Sequence, residues 1–108
     1  MLEISSALRG QVLVATLSGR IDAAASKQLE EQAMQWIDGG NSDLVLDCTS
    51  IVYISSAGLR VFLLIAKKIA ASKGSLKLCG LAGAVREVFD ISGFSKLFTI
   101  VPTVAEAL

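Results

Sequence analysis

Histidine is missing from all 108 residues. Its absence removes the commonest general base at neutral pH and the commonest metal ligand. Cysteine occurs twice, at Cys48 and Cys79. Two isolated thiols make no disulfide framework and, without histidine, no zinc site. No metal and no cofactor is expected. Net charge is also lacking: ten basic and ten acidic residues cancel. No basic cluster tracks a phosphate backbone, so nucleic acid is not an expected partner. Long apolar runs are absent although 53% of the residues are hydrophobic and the mean hydropathy is +0.62. The longest unbroken run, residues 61–66, is far short of the roughly 20 residues that span a membrane. The opening "MLEISSALRG" lacks the basic region and apolar stretch of a signal peptide. These features together predict one domain, 1–108, that is cytoplasmic and does not insert into a membrane. A chain of this length buries about two-thirds of its unfolded surface, enough for one core.

The pattern that is present alternates strands with helices. "LEISSAL" (2–8) and "QVLVATLSG" (11–19) alternate in polarity and read as strands, with "RG" at 9–10 as a hairpin turn. In "DAAASKQLEEQAMQWIDGG" (22–40), Leu29, Ala33, Trp36 and Ile37 mark one face of a helix. Asp22 or Ser26 could cap its start, and Gly39 and Gly40 end it. "DLVLDC" (43–48) is apolar enough for a central strand. "AGLRVFLLIAKKIAASKG" (57–74) reads as a second helix whose inner stripe is Leu59, Phe62, Leu63, Ala66, Ile69 and Ala70. Val61, Leu64 and Ile65 widen that stripe and require cover by a partner or by the third helix. The width also leaves a weak homodimer open. "SLKLCG" (75–80), "LAGAVREVFDISG" (81–93) and "KLFTIV" (96–101) read as strand, helix and strand, and Thr103 with Glu106 forms a capping-box pattern. The order predicts an α/β fold: a mixed β-sheet of about five strands, parallel through right-handed crossovers after the opening hairpin. About four helices lie mainly on one face, and the hairpin lies across part of the other.

Between the third strand and the second helix stands "YISSAGLR" (53–60). Ser55 and Ser56 fall at a helix start, where unpaired N–H groups and the helix dipole favour a capping hydroxyl or a negative charge. One reading is an N-cap, stabilising by roughly 1 kcal/mol. The other is a hydroxyl that accepts a phosphate, which carries about −1.5 to −2 charge at neutral pH. The small residues Ala57 and Gly58 leave room for a partner backbone or a nucleotide phosphate. Arg60, one turn on, is either a solvated charge or a contact for a phosphate or an acidic partner.

The run "LDCTSIVYISSAGLRVFLLIAKK" (46–68) resembles the signature region of STAS domains, the family of anti-sigma factor antagonists. The matching positions are Asp47, Thr49, Tyr53, Ile54, Ser55, Ser56, Ala57, Gly58 and Leu59. "GRID" (19–22) and "AVREVFDISGFSKLF" (84–98) are similar to the family's segments before the first helix and around the third. The resemblance implies a STAS-like sheet. It also implies a non-enzymatic signalling module that binds a serine-kinase-type anti-sigma factor. The kinase would phosphorylate Ser56 and release it, and an opposing phosphatase would reset the switch. Many antagonists carry Asp where this chain has Ser55, so Ser55 is a second candidate hydroxyl. The implied partner-binding set is Asp22, Ser55, Ser56, Ala57, Gly58, Leu59 and Arg60; Asp22 serves equally as a helix cap. One rival is an unphosphorylated STAS subunit docking in a transport or sensory complex. Another is an enzyme using Cys48 or Cys79, although neither thiol has a strong cationic neighbour in sequence.

Overall fold

The computed structural model describes all residues, 1–108. Its elements are β1 (Leu2–Arg9), β2 (Val12–Ile21), α1 (Ala23–Asp38), β3 (Asp43–Ile54), α2 (Ser56–Ala71), β4 (Ser75–Cys79), α3 (Gly83–Ile91), β5 (Thr99–Val101) and α4 (Val104–Ala107). A single 3-10 turn, Phe94–Lys96, joins α3 to β5. The strands lie side by side in chain order, β1 antiparallel to β2 and the rest parallel. Each parallel step needs a crossover, and α1, α2 and α3 supply them. Successive right-handed crossovers in one direction place these three helices on one face.

Alternation along the strands divides the buried side chains by face. Leu13, Ala15 and Leu17 of β2 and Leu44, Leu46 and Cys48 of β3 join Leu29, Ala33, Phe62, Ile65 and Phe89 in the main core. Val14, Val45 and Cys79 point the other way and pack with Ala107 of α4. The short C-terminal helix therefore covers part of the second face. The hairpin, expected across that face, instead extends the sheet edge, because β1 pairs with β2 along its whole length. Thr103 caps α4 by accepting from the Glu106 amide at 3.2 Å.

Two strands are longer than the apolar pattern shows. β3 runs on past Cys48 to Ile54 with Val52 and Tyr53 exposed. β2 reaches Ile21 through two irregularities, between Thr16 and Ser18 and between Gly19 and Arg20. Gly19 has φ +112°, and a Cβ there would meet the Met1 carbonyl oxygen. The stripe of α2 is also rotated from the expected one. Val61 and Ile65 are buried and Ala70 is exposed. The cover comes from α1, which packs along α2. No helix is long and apolar enough to cross a membrane.

Phe62 sits where α2, α3 and the last loop meet. Its ring meets Phe89 edge-on at 5.6 Å and Phe98 at 6.4 Å, and Phe89 meets Phe98 at 6.0 Å. Such pairs contribute about 0.5–1.5 kcal/mol beyond area burial. Phe62 is fully buried, so Phe62→Ala is expected to destabilise the fold by about 3–5 kcal/mol. Denaturant unfolding followed by circular dichroism measures this loss.

Candidate functional site

The ends of β2 and β3 carry two helix starts side by side. Ile21 and Ile54 are paired in register. The Ser55 amide donates to the Ile21 carbonyl at 2.9 Å. Asp22 then caps α1, its Oδ1 accepting from the Ala25 amide at 2.9 Å. Ser26 is not the cap; it is buried, and its hydroxyl donates back to the Asp22 carbonyl at 2.6 Å. Ser55 caps α2 in the same way, its Oγ accepting from the Gly58 amide at 3.1 Å. Both helix dipoles thus point their positive ends at one patch of surface.

The two serines differ in what holds them. Ser55 is half-buried and engaged as the cap. Ser56 is the first residue of α2, exposed, and its hydroxyl makes no hydrogen bond within the chain. Asp22 and Arg60 are exposed as well, and Ala57 is half-buried. Both ion pairs of the chain, Lys68–Asp38 and Arg86–Asp90, lie elsewhere, so the Arg60 guanidinium is unpaired.

Two members of the expected binding set face inward. Gly58 is buried; a Cβ on it would stand 2.8 Å from both Ile21 Cγ2 and Ile54 Cγ1. Its bare Cα admits the sheet to the helix, and leaves no room for a partner or a phosphate. Leu59 is buried in the main core. Expected on the binding surface, both instead face the sheet, because Gly58 and Leu59, four and five residues past the strand end, turn under the helix.

Other residues line the surface beside this helix start. A groove of about 530 Å³ runs between α1 and α2 beside Ala57, lined by Lys27, Glu30, Arg60, Val61 and Leu64 among others. Lys27 and Glu30 went unmarked in sequence because they sit on the polar side of α1. Only the packing of α1 on α2 brings them to Arg60. On the opposite sheet face, Arg20 lies over the Tyr53 ring at 4.4 Å. That pairing depends on the β2 irregularities and has no sequence signal.

The cysteines are sealed. Cys48 and Cys79 are free and buried. Burial raises the Cys48 thiol far above its usual range, with further contributions from Cys79 and Asp47. Burial, then the Asp47 charge, pushes Cys79 up to about 11. A thiol held protonated is a poor nucleophile. The Lys77 ammonium is engaged by the chain, donating from Nζ to the Ala107 carbonyl at 3.0 Å. No group of three or more His, Cys, Asp or Glu side chains could hold a metal.

Comparison with known proteins agrees with this architecture. The STAS domain family model matches residues 3–107. A Bordetella bronchiseptica protein, the candidate anti-sigma factor antagonist BtrV, is 46% identical over 89 residues, 82% of this chain and 77% of that protein. The crystal structure of a candidate anti-sigma factor antagonist from Thermotoga maritima superposes with a TM-score of 0.92 at 18% identity, covering 96% of this chain and 90% of that one. The Bacillus cell fate determinant SpoIIAA in its phosphorylated form superposes at 0.75 with 19% identity, over 99% of this chain and 96% of that one.

Two predictions separate the roles of these groups. Ser55→Ala removes a cap and should cost about 1 kcal/mol, whereas Ser56→Ala should leave stability within about 0.5 kcal/mol. Urea midpoints of the two variants measure the difference. The thiols give a pH signature. Above the ordinary thiol pKa of 9.0 the unfolded chain loses protons that folded Cys79, near 11, retains. Stability should therefore fall as pH rises from about 9 to about 11, by up to about 1.4 kcal/mol per pH unit for each buried thiol. Melting curves of the wild type and a Cys48→Ala/Cys79→Ala variant across this range should show a shallower decline for the variant.

Proposed function

The chain belongs to the STAS domain family, and from that premise we propose that it is an anti-sigma factor antagonist-like module switched by phosphorylation of Ser56. The observation that carries this reading is the division between two adjacent hydroxyls. Ser55 is used by the fold, and Ser56 is exposed and free at the first position of α2. A kinase can take Ser56 without removing the cap. Its partner is a serine-kinase-type anti-sigma factor, with a phosphatase to reverse the mark, and the setting is cytoplasmic.

The energetics favour a switch in binding over a switch in folding. A phosphate at a helix N-terminus stabilises its own domain by about 0.3–1 kcal/mol, up to about 2 when partly buried. A docked partner with an acidic group nearby is treated differently. Two like charges about 4 Å apart repel by roughly 4 kcal/mol at an effective dielectric near 20. Since about 1.4 kcal/mol is tenfold in affinity, half of that repulsion releases a modest complex. Before phosphorylation, the α1–α2 groove offers the partner an apolar floor at Val61 and Leu64, with Lys27, Glu30 and Arg60 as polar contacts. Asp22, exposed beside Ser55, adds a carboxylate to the rim. Docking as an unphosphorylated subunit would use the same groove, and differs only in leaving Ser56 unmodified.

Incubation with the cognate anti-sigma kinase and ATP should place one phosphate on Ser56, located by peptide mass spectrometry; label on Ser55, or none, would sink the reading. Ser56→Asp should keep its melting temperature within a few degrees and lose at least about tenfold in partner affinity by calorimetry.

A further inference from the structure

The sheet has two open edges of unequal kind. β5 is three residues long and is followed at once by Pro102, which donates no backbone hydrogen bond. That edge is blunted in the usual way. β1 is eight residues long, regular, and paired on one side only. It contains no proline and no inward-pointing charge, and from Ser5 to Arg9 it is exposed throughout. Its outer row of N–H and C=O groups is therefore a template for another strand.

We propose that the occupant of this edge is a second copy of the chain, paired through β1 in antiparallel register about a two-fold axis at Ser6. The sequence of β1, LEISSALR, is complementary to itself in that register. Ser6 meets Ser6, Ser5 meets Ala7, Ile4 meets Leu8, and Glu3 meets Arg9. The last two pairs each occur twice. The charged pairs lie on the face away from the three crossover helices, where Glu3 and Arg9 are both exposed. The apolar pairs lie on the helix side, because Leu2 and Ile4 belong to the main core face and Leu8 shares their phase. Leu8 is 62% exposed in the single chain; pairing sets it against Ile4 of the other copy.

No other antiparallel register does this. A slip of one residue turns the helix layer of one copy to the opposite face and sets Glu3 against Leu8 or Gly10. A slip of two sets Glu3 against Ala7 or removes it from the paired stretch. Only the register about Ser6 matches both charges and both large apolar groups. The contact is one strand pair, smaller than a standard stable interface, so the dimer is concentration-dependent. The two exposed ion pairs make it weaken with salt.

Sedimentation equilibrium up to millimolar concentration reads the association, and Ser6→Cys reads the register. At directly opposed positions the Cα atoms are about 4.5–5.5 Å apart, within disulfide reach. Mild oxidation of Ser6→Cys should give a covalent dimer; Ser5→Cys, which faces Ala7, should not. The native cysteines are buried and do not interfere. Glu3→Arg and Arg9→Glu each create two like-charge pairs and should weaken association about tenfold, and combining them should restore it. Either a monomer at every concentration with no Ser6→Cys cross-link, or a dimer indifferent to both single reversals, would overturn the proposal. Equal cross-linking of Ser5→Cys and Ser6→Cys would refute the register.

Discussion

The start of α2 is clamped onto the ends of two parallel strands, and the site follows from that clamp. Gly58 brings the helix backbone so close to Ile21 and Ile54 that a methyl group would not fit. The Ser55 amide ties the same turn to the Ile21 carbonyl at 2.9 Å. With the backbone fixed from both sides, the next side chain has one place to go. Ser56 leaves the surface at the first position of α2, beside the capped starts of two helices. A hydroxyl on a mobile loop would first have to be ordered by a kinase or a partner, at a cost of about 1–2 kcal/mol per residue.

Rigidity would also let the proposed phosphorylation, a small chemical change, gain a large effect. The chain answers a negative charge at this corner with dipoles and amide donors, so its own free energy moves by little, and favourably. A bound partner has no such compensation. In the proposed complex its contacts with the α1–α2 groove would be short-range, and a charge at the groove's end would be uncompensated by them.

The β-α alternation, the strand count and the strand-to-helix junction at Ser55 and Ser56 were legible in sequence because they depend on local period and composition. Which serine caps was not: both can, and the outcome depends on where β3 ends, which the exposed Val52 and Tyr53 obscure. The inward role of Gly58 was hidden for a related reason. Glycine signals close approach, but the approaching group is named only by the tertiary fold, here the strand ends instead of a partner. Val61, Leu64 and Ile65 could have faced a partner or the third helix; the structure buries Val61 and Ile65, with α1 packed along α2, and leaves Leu64 exposed. Alternation puts Lys77 and Cys79 on one strand face; that a lysine could sit beside a sealed thiol required α4, whose Ala107 carbonyl takes its ammonium. Each miss concerns which element covers which face.

The geometry of the β1 edge bears on the switch as well. Leu2 pairs with Gly19, close to the Ser56 end of the sheet, while Arg9 pairs with Val12 at the far end. A two-fold axis through Ser6 therefore turns one copy end for end relative to the other. The two Ser56 hydroxyls fall at opposite ends of the joined sheet, each separated from the shared edge by β1 and β2. By strand spacing and rise, a phosphate on one lies roughly 15 Å from the nearer ion pair at the edge, about two Debye lengths at physiological salt. On the two proposals together, self-association and partner release would be nearly independent equilibria. The dimer could carry two partners, two phosphates or one of each without communication between them. Coupling would need β2 to move, and β2 is held on both sides along its length.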